Sequence, residues 1–144
     1  MSDRARVVTL ISLFRQTSRD MVDELVERLR EGGYEDTTAA HHPLFENIDP
    51  GGTRLTVLAA RAGMTHQSMG ELVSALEQRG YVERRSDPSD GRVRLVVLTE
   101  KGRAAARLAV KEIAAIEAAW LERVGASGFE LDVRALLRTG LQQD

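Results

Sequence analysis

Apolar side chains recur at steps of three, four or seven residues through Val7, Leu10, Phe14, Met21, Leu25 and Leu29, with charged residues between them. That spacing predicts a long amphipathic helix over Arg4 to Arg30, ended by Gly32 and Gly33. Asp36 or Thr37 can cap a shorter second helix carrying Ala39, Ala40, Leu44 and Phe45. Pro43 removes a hydrogen bond if it lies past the first turn, so this helix is expected to begin late or bend. Asp49, Pro50, Gly51 and Gly52 read as a turn.

The pattern then tightens. Arg54 and Leu55 form a stub of strand, and Thr56 caps a short helix with Leu58, Ala59 and Ala62 inward, broken at Gly63. From Thr65 to Arg79 a second helix places Met69, Leu72, Val73 and Leu76 inward. Thr65, His66, Gln67, Ser68, Gly70, Glu71 and Ser74 are left outward, a set suited to reading base edges. Gly80 supplies the left-handed residue after the helix. Tyr81 to Ser86 and Val93 to Leu98 follow as strands around a six-residue loop, Asp87 to Arg92, with Asp90-Gly91 at its centre.

Thr99 caps a second long helix whose stripe of Ala109, Ile113, Ile116, Trp120 and Val124 steps by four and three, suited to packing on another long helix. Gly125 to Gly128 interrupts it, and Leu131, Leu136, Leu137 and Leu141 mark a final amphipathic helix. The expected fold is mainly α with a small β wing. Residues 37–102 form a winged helix-turn-helix region, and residues 1–36 and 103–144 form a helical dimerisation region. The two ends carry more apolar surface than the small centre can cover, so a second copy of the chain is the expected partner.

At 144 residues and 42% apolar content the chain suits one packed domain. It contains no cysteine, which removes disulfides, thiolate zinc sites and thiol redox sensing. No apolar run reaches the roughly 20 residues of a bilayer span, and Met1 to Arg6 is too short and charged for a signal peptide, so a cytoplasmic location without membrane contact is expected. The net charge of −2 argues weakly against a polyanion partner, but the charges are unevenly placed. From Thr53 to Arg107 ten Lys and Arg face six Asp and Glu, whereas the remainder holds ten against sixteen. Positive charge is thus gathered around the predicted reading helix, and eighteen of the twenty cations are arginines, whose forked donors suit phosphate and guanine.

The run Gly63-Met-Thr-His-Gln-Ser-Met-Gly-Glu-Leu-Val-Ser-Ala-Leu-Glu-Gln-Arg-Gly80-Tyr-Val-Glu-Arg84, then Asp87-Pro-Ser-Asp-Gly-Arg92 and Leu98-Thr-Glu-Lys-Gly102, resembles the MarR-family transcription regulators. The resemblance implies a homodimeric winged helix-turn-helix repressor or activator, often released from DNA by a small, frequently aromatic or phenolic, ligand. It places Thr65, His66, Gln67, Ser68 and Glu71 at the major groove, Arg92 as the wing-tip arginine of the minor groove, and Asp90 as the acid that orients it. Gly70 and Glu71 depart from the hydroxyl and basic residues that family members often carry there.

The residues themselves argue in the same direction. Gln67 can grip adenine through N6 and N7, and His66 suits a phosphate or base donor. Glu71 can accept from cytosine N4 or hold a neighbouring arginine. An arginine at the wing tip, Arg92, has a narrow and strongly negative minor groove to enter. Arg54 and Ser74 join the candidate contacts with double-stranded DNA; Arg54, Arg61, Arg84, Arg85 and Arg94 divide between phosphate and partners such as Glu83 and Asp87 in a way the sequence leaves open. Phe14, His41, Phe45 and Trp120, with His42, are candidates to line an effector cleft, against the plainer reading of core packing. Adjacent histidines point to different helix faces, so no metal is expected at His41 and His42, and no cofactor elsewhere. Without a phosphate-cradling loop, a Gly-x-Ser-x-Gly elbow or a cysteine nucleophile, an enzyme is not expected. The remaining alternative is a winged-helix module whose exposed helix meets another protein.

Overall fold

The computed structural model describes residues 7–128 and 132–141. Helix α1 spans Leu10–Glu31. Thr9 caps it, its hydroxyl accepting from the Ser12 N–H at 3.1 Å while the Ser12 hydroxyl accepts from the Thr9 N–H at 3.0 Å. This reciprocal pair satisfies two amides that otherwise lack partners, so the helix starts later than the Arg4 expected from periodicity, and Val7 precedes it. Residues 4–6 lie outside the described residues.

A single 3-10 turn, Ala39–His41, leads into α2, His42–Asn47. Pro43 stands in the first turn of α2, where a missing N–H costs nothing, so the helix does begin late. The expected caps Asp36 and Thr37 are used elsewhere. The Thr37 hydroxyl donates to the Tyr34 carbonyl at 2.8 Å, and Thr38 takes the capping position with its N–H donating to His41 Nδ1 at 3.1 Å.

Strand β1 is Thr53–Arg54, and α3 is Leu55–Arg61. Both lie one residue or so earlier than expected; Arg54, not Thr56, occupies the cap position, and it forms no side-chain capping bond there. Gly63 turns the chain with φ +62, a left-handed conformation that a glycine adopts without steric cost. Helix α4, His66–Gln78, follows with Thr65 as cap, its hydroxyl accepting from the Ser68 N–H at 3.1 Å. Strands β2, Val82–Asp87, and β3, Asp90–Leu98, complete a three-stranded antiparallel sheet in the order β1-β3-β2. Helix α5 spans Glu100–Ala126, with the Thr99 hydroxyl accepting from the Gly102 N–H at 3.1 Å. Helix α6 is Val133–Gly140, capped by Asp132.

Leu44, Leu58, Met69, Val73, Leu76, Tyr81, Val82 and Val96 form the core of the helix-turn-helix and sheet. Each fully buried aliphatic side chain there contributes about 1.5–3 kcal/mol by leaving water. Tyr81 is the junction: its ring meets Phe45 edge-on at 5.9 Å, and its hydroxyl donates to Asp36 Oδ1 at 2.5 Å. Burial first, and the Asp36 carboxylate second, push that hydroxyl's pKa upward, and the same bond draws Asp36 downward. Lys101 lies 4.2 Å from the ring centre and donates to Asp36 at 3.4 Å, tying the first turn of α5 to the loop after α1.

A second, smaller core joins Leu25 and Leu29 of α1 to Ile116 of α5, with Ala109 and Ile113 packed against it. Arg28 reinforces this pairing by donating to Glu112 at 2.9 Å and Glu24 at 2.7 Å. Beyond it the apolar surface is open. Leu10, Ile11 and Phe14 on α1 and Leu136, Leu137 and Leu141 at α6 are exposed, and α6 has no buried residue. Gly125 lies inside α5 and not in a break, and Leu131 falls outside the described residues.

Candidate nucleic-acid interface

The exposed face of α4 stands clear of the protein. Thr65, His66, Gln67, Ser68, Glu71 and Ser74 are all exposed, while Met69, Val73 and Leu76 on the opposite face are fully buried. Several of the outward groups already have partners. Thr65 is committed to its cap and also donates to the Ser68 hydroxyl at 2.9 Å. Gln67 donates to Glu71 at 3.4 Å, so Glu71 holds a glutamine and no arginine. This long, solvated bond holds the two side chains side by side one turn apart, and a base edge with complementary donors and acceptors can take both.

Ser74 serves a different purpose. Its hydroxyl accepts from Arg84 at 3.1 Å, and Arg84 also donates to Glu77 at 3.1 Å and reaches the Gly70 carbonyl at 3.5 Å. Arg84 pairs with Val96 across the sheet, and Val96 is buried against the helices, so Arg84 projects from the same face onto α4.

The wing differs from the expected six-residue loop. Asp87 pairs with Asp90, so the turn is only Pro88-Ser89, and Asp90-Gly91 begins β3. A bulge between Ser86 and Asp87 turns the Asp87 carboxylate inward. Asp87 accepts from the Ser89 hydroxyl at 2.7 Å and the Ser89 N–H at 2.9 Å through one oxygen, and from Arg54 at 2.8 Å through the other. Those bonds, the Ser89 hydroxyl foremost, lower its pKa to about 2. Arg54 therefore ties β1 to the wing as an ion pair, with its side chain about half exposed.

Asp90 accepts from the backbone N–H of Arg92 at 3.1 Å. It shapes the chain beneath Arg92, where the resemblance implied an acid orienting the side chain. Arg92 itself is exposed and forms no ion pair among the described residues. The arginines that the sequence left unsorted divide cleanly: Arg61 meets Asp49 at 3.0 Å, Arg84 meets Glu77, and Arg85 meets Glu83. Arg94, like Arg92, has no acidic partner among the described residues. Arg84 and Arg94, which the sequence names without sorting, thus part company, Arg84 onto α4 and Arg94 toward solvent. The signal was parity along the strand: Arg92, Arg94 and Val96 alternate onto one face, and Arg84 and Ser86 lie opposite Val96 and Arg94.

The expected effector cleft is not formed by its four candidates. His41 is buried, with Nδ1 accepting the Thr38 N–H; burial, then the charge of Arg79, lowers its pKa and favours the neutral ring. Phe45 packs on Tyr81 in the main core. Phe14 is exposed on the open half of α1, and Trp120 is half-buried on α5. Neither of two surface clefts among the described residues is lined by any of these four. The larger, about 510 Å³, lies between α1 and α5 beside Glu24, Glu27, Arg28, Glu31 and Glu112. The smaller, about 360 Å³, lies between β3 and the start of α4. Among the described residues no group of His, Asp and Glu is placed to hold a metal ion, and no helix is long and apolar enough to cross a membrane.

Comparison with curated protein sequences gives no significant match. The sequence profile of the MarR family matches residues 35–93, the stretch from the loop after α1 into the wing. Among solved structures, CouR from Rhodococcus jostii RHA1 bound to p-coumaroyl-CoA is similar with a TM-score of 0.74 and 24% identity, over 97% of this chain and 94% of that one. PcaV from Streptomyces coelicolor in complex with its natural ligand gives a TM-score of 0.67 at 22% identity, over 99% and 95% of the two chains. CouR bound to a 23-mer DNA duplex gives 0.65 at 24% identity, over 92% and 89%. Residues 35–93 are thus similar to the MarR family, and nearly the whole chain shares the winged helix-turn-helix fold of these solved structures.

Proposed function

We propose that the protein is a sequence-specific regulator of transcription that binds double-stranded DNA as a homodimer on a pseudo-palindromic operator, acting as a repressor in the cytoplasm. One observation carries this reading: the polar face of α4 stands exposed beside a wing whose Arg92 and Arg94 have no acidic partner among the described residues. The exposed apolar residues of α1 and α6 supply the surface a second copy would cover. A two-fold pair would then set two α4 helices about 34 Å apart, one turn of duplex. Arg92 enters the minor groove, while Gln67 and Glu71 read base edges in the major groove. Relatives solved with p-coumaroyl-CoA and with a natural ligand favour a small aromatic effector as the releasing signal for this chain too.

Selection of bound fragments from the source organism's DNA, followed by gel shift at rising salt, tests the reading. Retention of a shared, two-fold symmetric motif with a steep salt dependence is expected. The second reading, a protein-interaction module, draws on Glu71 in the middle of the exposed face. Failure to retard any fragment at low salt would favour it. Sedimentation showing a monomer at micromolar concentration would remove the dimer.

A further inference from the structure

The 360 Å³ groove between the wing and the reading helix is lined by Arg54, Leu55, Thr56, His66, Val93 and Arg94. Leu55 and Val93 are half-buried, while Arg94 and His66 are exposed. Arg54 brings a second guanidinium, fixed in place by Asp87. The position follows from the strand. The face of β3 that buries Val96 against the helices continues past the core, and its next residue is Arg94. Strand β1 ends after pairing with Leu95, which leaves that stretch of β3 uncovered.

We propose that this groove is a seat for one backbone phosphate of the duplex, held by Arg94 and His66 with Arg54 beside them. The proposal rests on the DNA-binding reading and deepens it, by separating a contact that fixes position from the base-reading contacts of Gln67 and Glu71. The chemistry favours an anion over a base edge. Arg54, Thr56, His66 and Arg94 all offer hydrogen-bond donors to the acceptor-only oxygens of a phosphate, whereas adenine and cytosine edges also require side-chain acceptors. Asp87 is turned to Ser89 and Arg54, and its charge offsets that of Arg54. Arg94 therefore leaves the groove with one uncompensated positive charge, which matches a single phosphodiester.

The test uses the full chain, a duplex selected from the organism's DNA and a scrambled duplex, titrated by fluorescence anisotropy across a series of salt concentrations. Arg94→Ala should weaken both duplexes by a similar factor, about tenfold near 0.1 M salt, and flatten the slope of log K against log salt by about one. Arg94→Lys should restore most of that slope, because a point charge suffices for a phosphate. An unchanged slope in Arg94→Ala overturns the proposal, as does a loss confined to the selected duplex, which would make Arg94 a base reader. Inorganic phosphate that competes with duplex beyond chloride at equal ionic strength, while the Arg94→Ala slope stays intact, assigns the groove to a free anion and also overturns it. If the unaltered protein binds neither duplex, the DNA-binding reading itself fails, a result distinct from either variant's behaviour.

Discussion

Two glycines in α5 make opposite predictions for the same substitution. A Cβ built on Gly102 would lie 2.0 Å from the Tyr81 carbonyl oxygen, 3.1 Å from the Tyr81 carbonyl carbon and 3.2 Å from Leu98 Cδ2. The first distance is well inside the separation of about 3.5 Å at which nonbonded atoms rest. The obstacle is backbone and cannot rotate aside. That same carbonyl accepts the Thr99 N–H at 3.0 Å, so moving α5 away to relieve the clash would also break the bond that sets its first turn. Overpacking of this kind costs about 1–3 kcal/mol, occasionally more, and the helical preference of alanine returns no more than about 1 kcal/mol. Gly102→Ala should therefore lose about 1–3 kcal/mol. At Gly125 a Cβ would meet nothing within 4 Å, so Gly125→Ala should gain up to about 1 kcal/mol from helix propensity alone. Urea unfolding of both variants at one protein concentration measures the two, since association would otherwise shift the midpoints. A Gly102→Ala variant as stable as the original, or a Gly125→Ala variant less stable than it, would refute the packing argument.

Thr65→Ala should cost about 1 kcal/mol by leaving the Ser68 N–H without its cap, with Thr65→Ser retaining most of the stability; equal urea midpoints for all three proteins would exclude a capping role. Asp87 has a folded pKa near 2 against an ordinary 3.8, so its contribution to stability is present above about pH 4 and lost as pH falls through about 2. The difference in melting temperature between the original protein and Asp87→Asn should shrink across that window, and a constant difference would count against the Ser89 and Arg54 bonds as its source. Gln67→Ala should lose about 1–3 kcal/mol of discrimination at particular base pairs while leaving the salt slope unchanged. Equal weakening on every selected and scrambled duplex would show that Gln67 does not read bases.

Much of the local architecture is written in the spacing of residues along the chain. The inward set Met69, Leu72, Val73 and Leu76, the cap at Thr65, the break at Gly63 and the stripe of α5 all follow from periods of three and four and from hydroxyls at helix starts. The outward face of α4 followed with them, because a helix that buries one stripe exposes the other. The start of α1 was misplaced because Thr9 and Ser12 satisfy each other's amides, and that reciprocal bond overrides a hydrophobic pattern running on past it. The wing needed more than its local turn signal. Asp-Gly is a strong one, yet the turn falls two residues earlier, where Asp87 is held at a bulge by Ser89 close by and by Arg54, distant in sequence. The same limit applies to Arg84 on Ser74, to Tyr81 on Asp36, and to the sorting of arginines into paired and unpaired. Periodicity fixes which face of an element turns inward; it does not encode which distant side chain lies opposite, and for a charged group that neighbour determines whether it is neutralised within the fold or left for a partner.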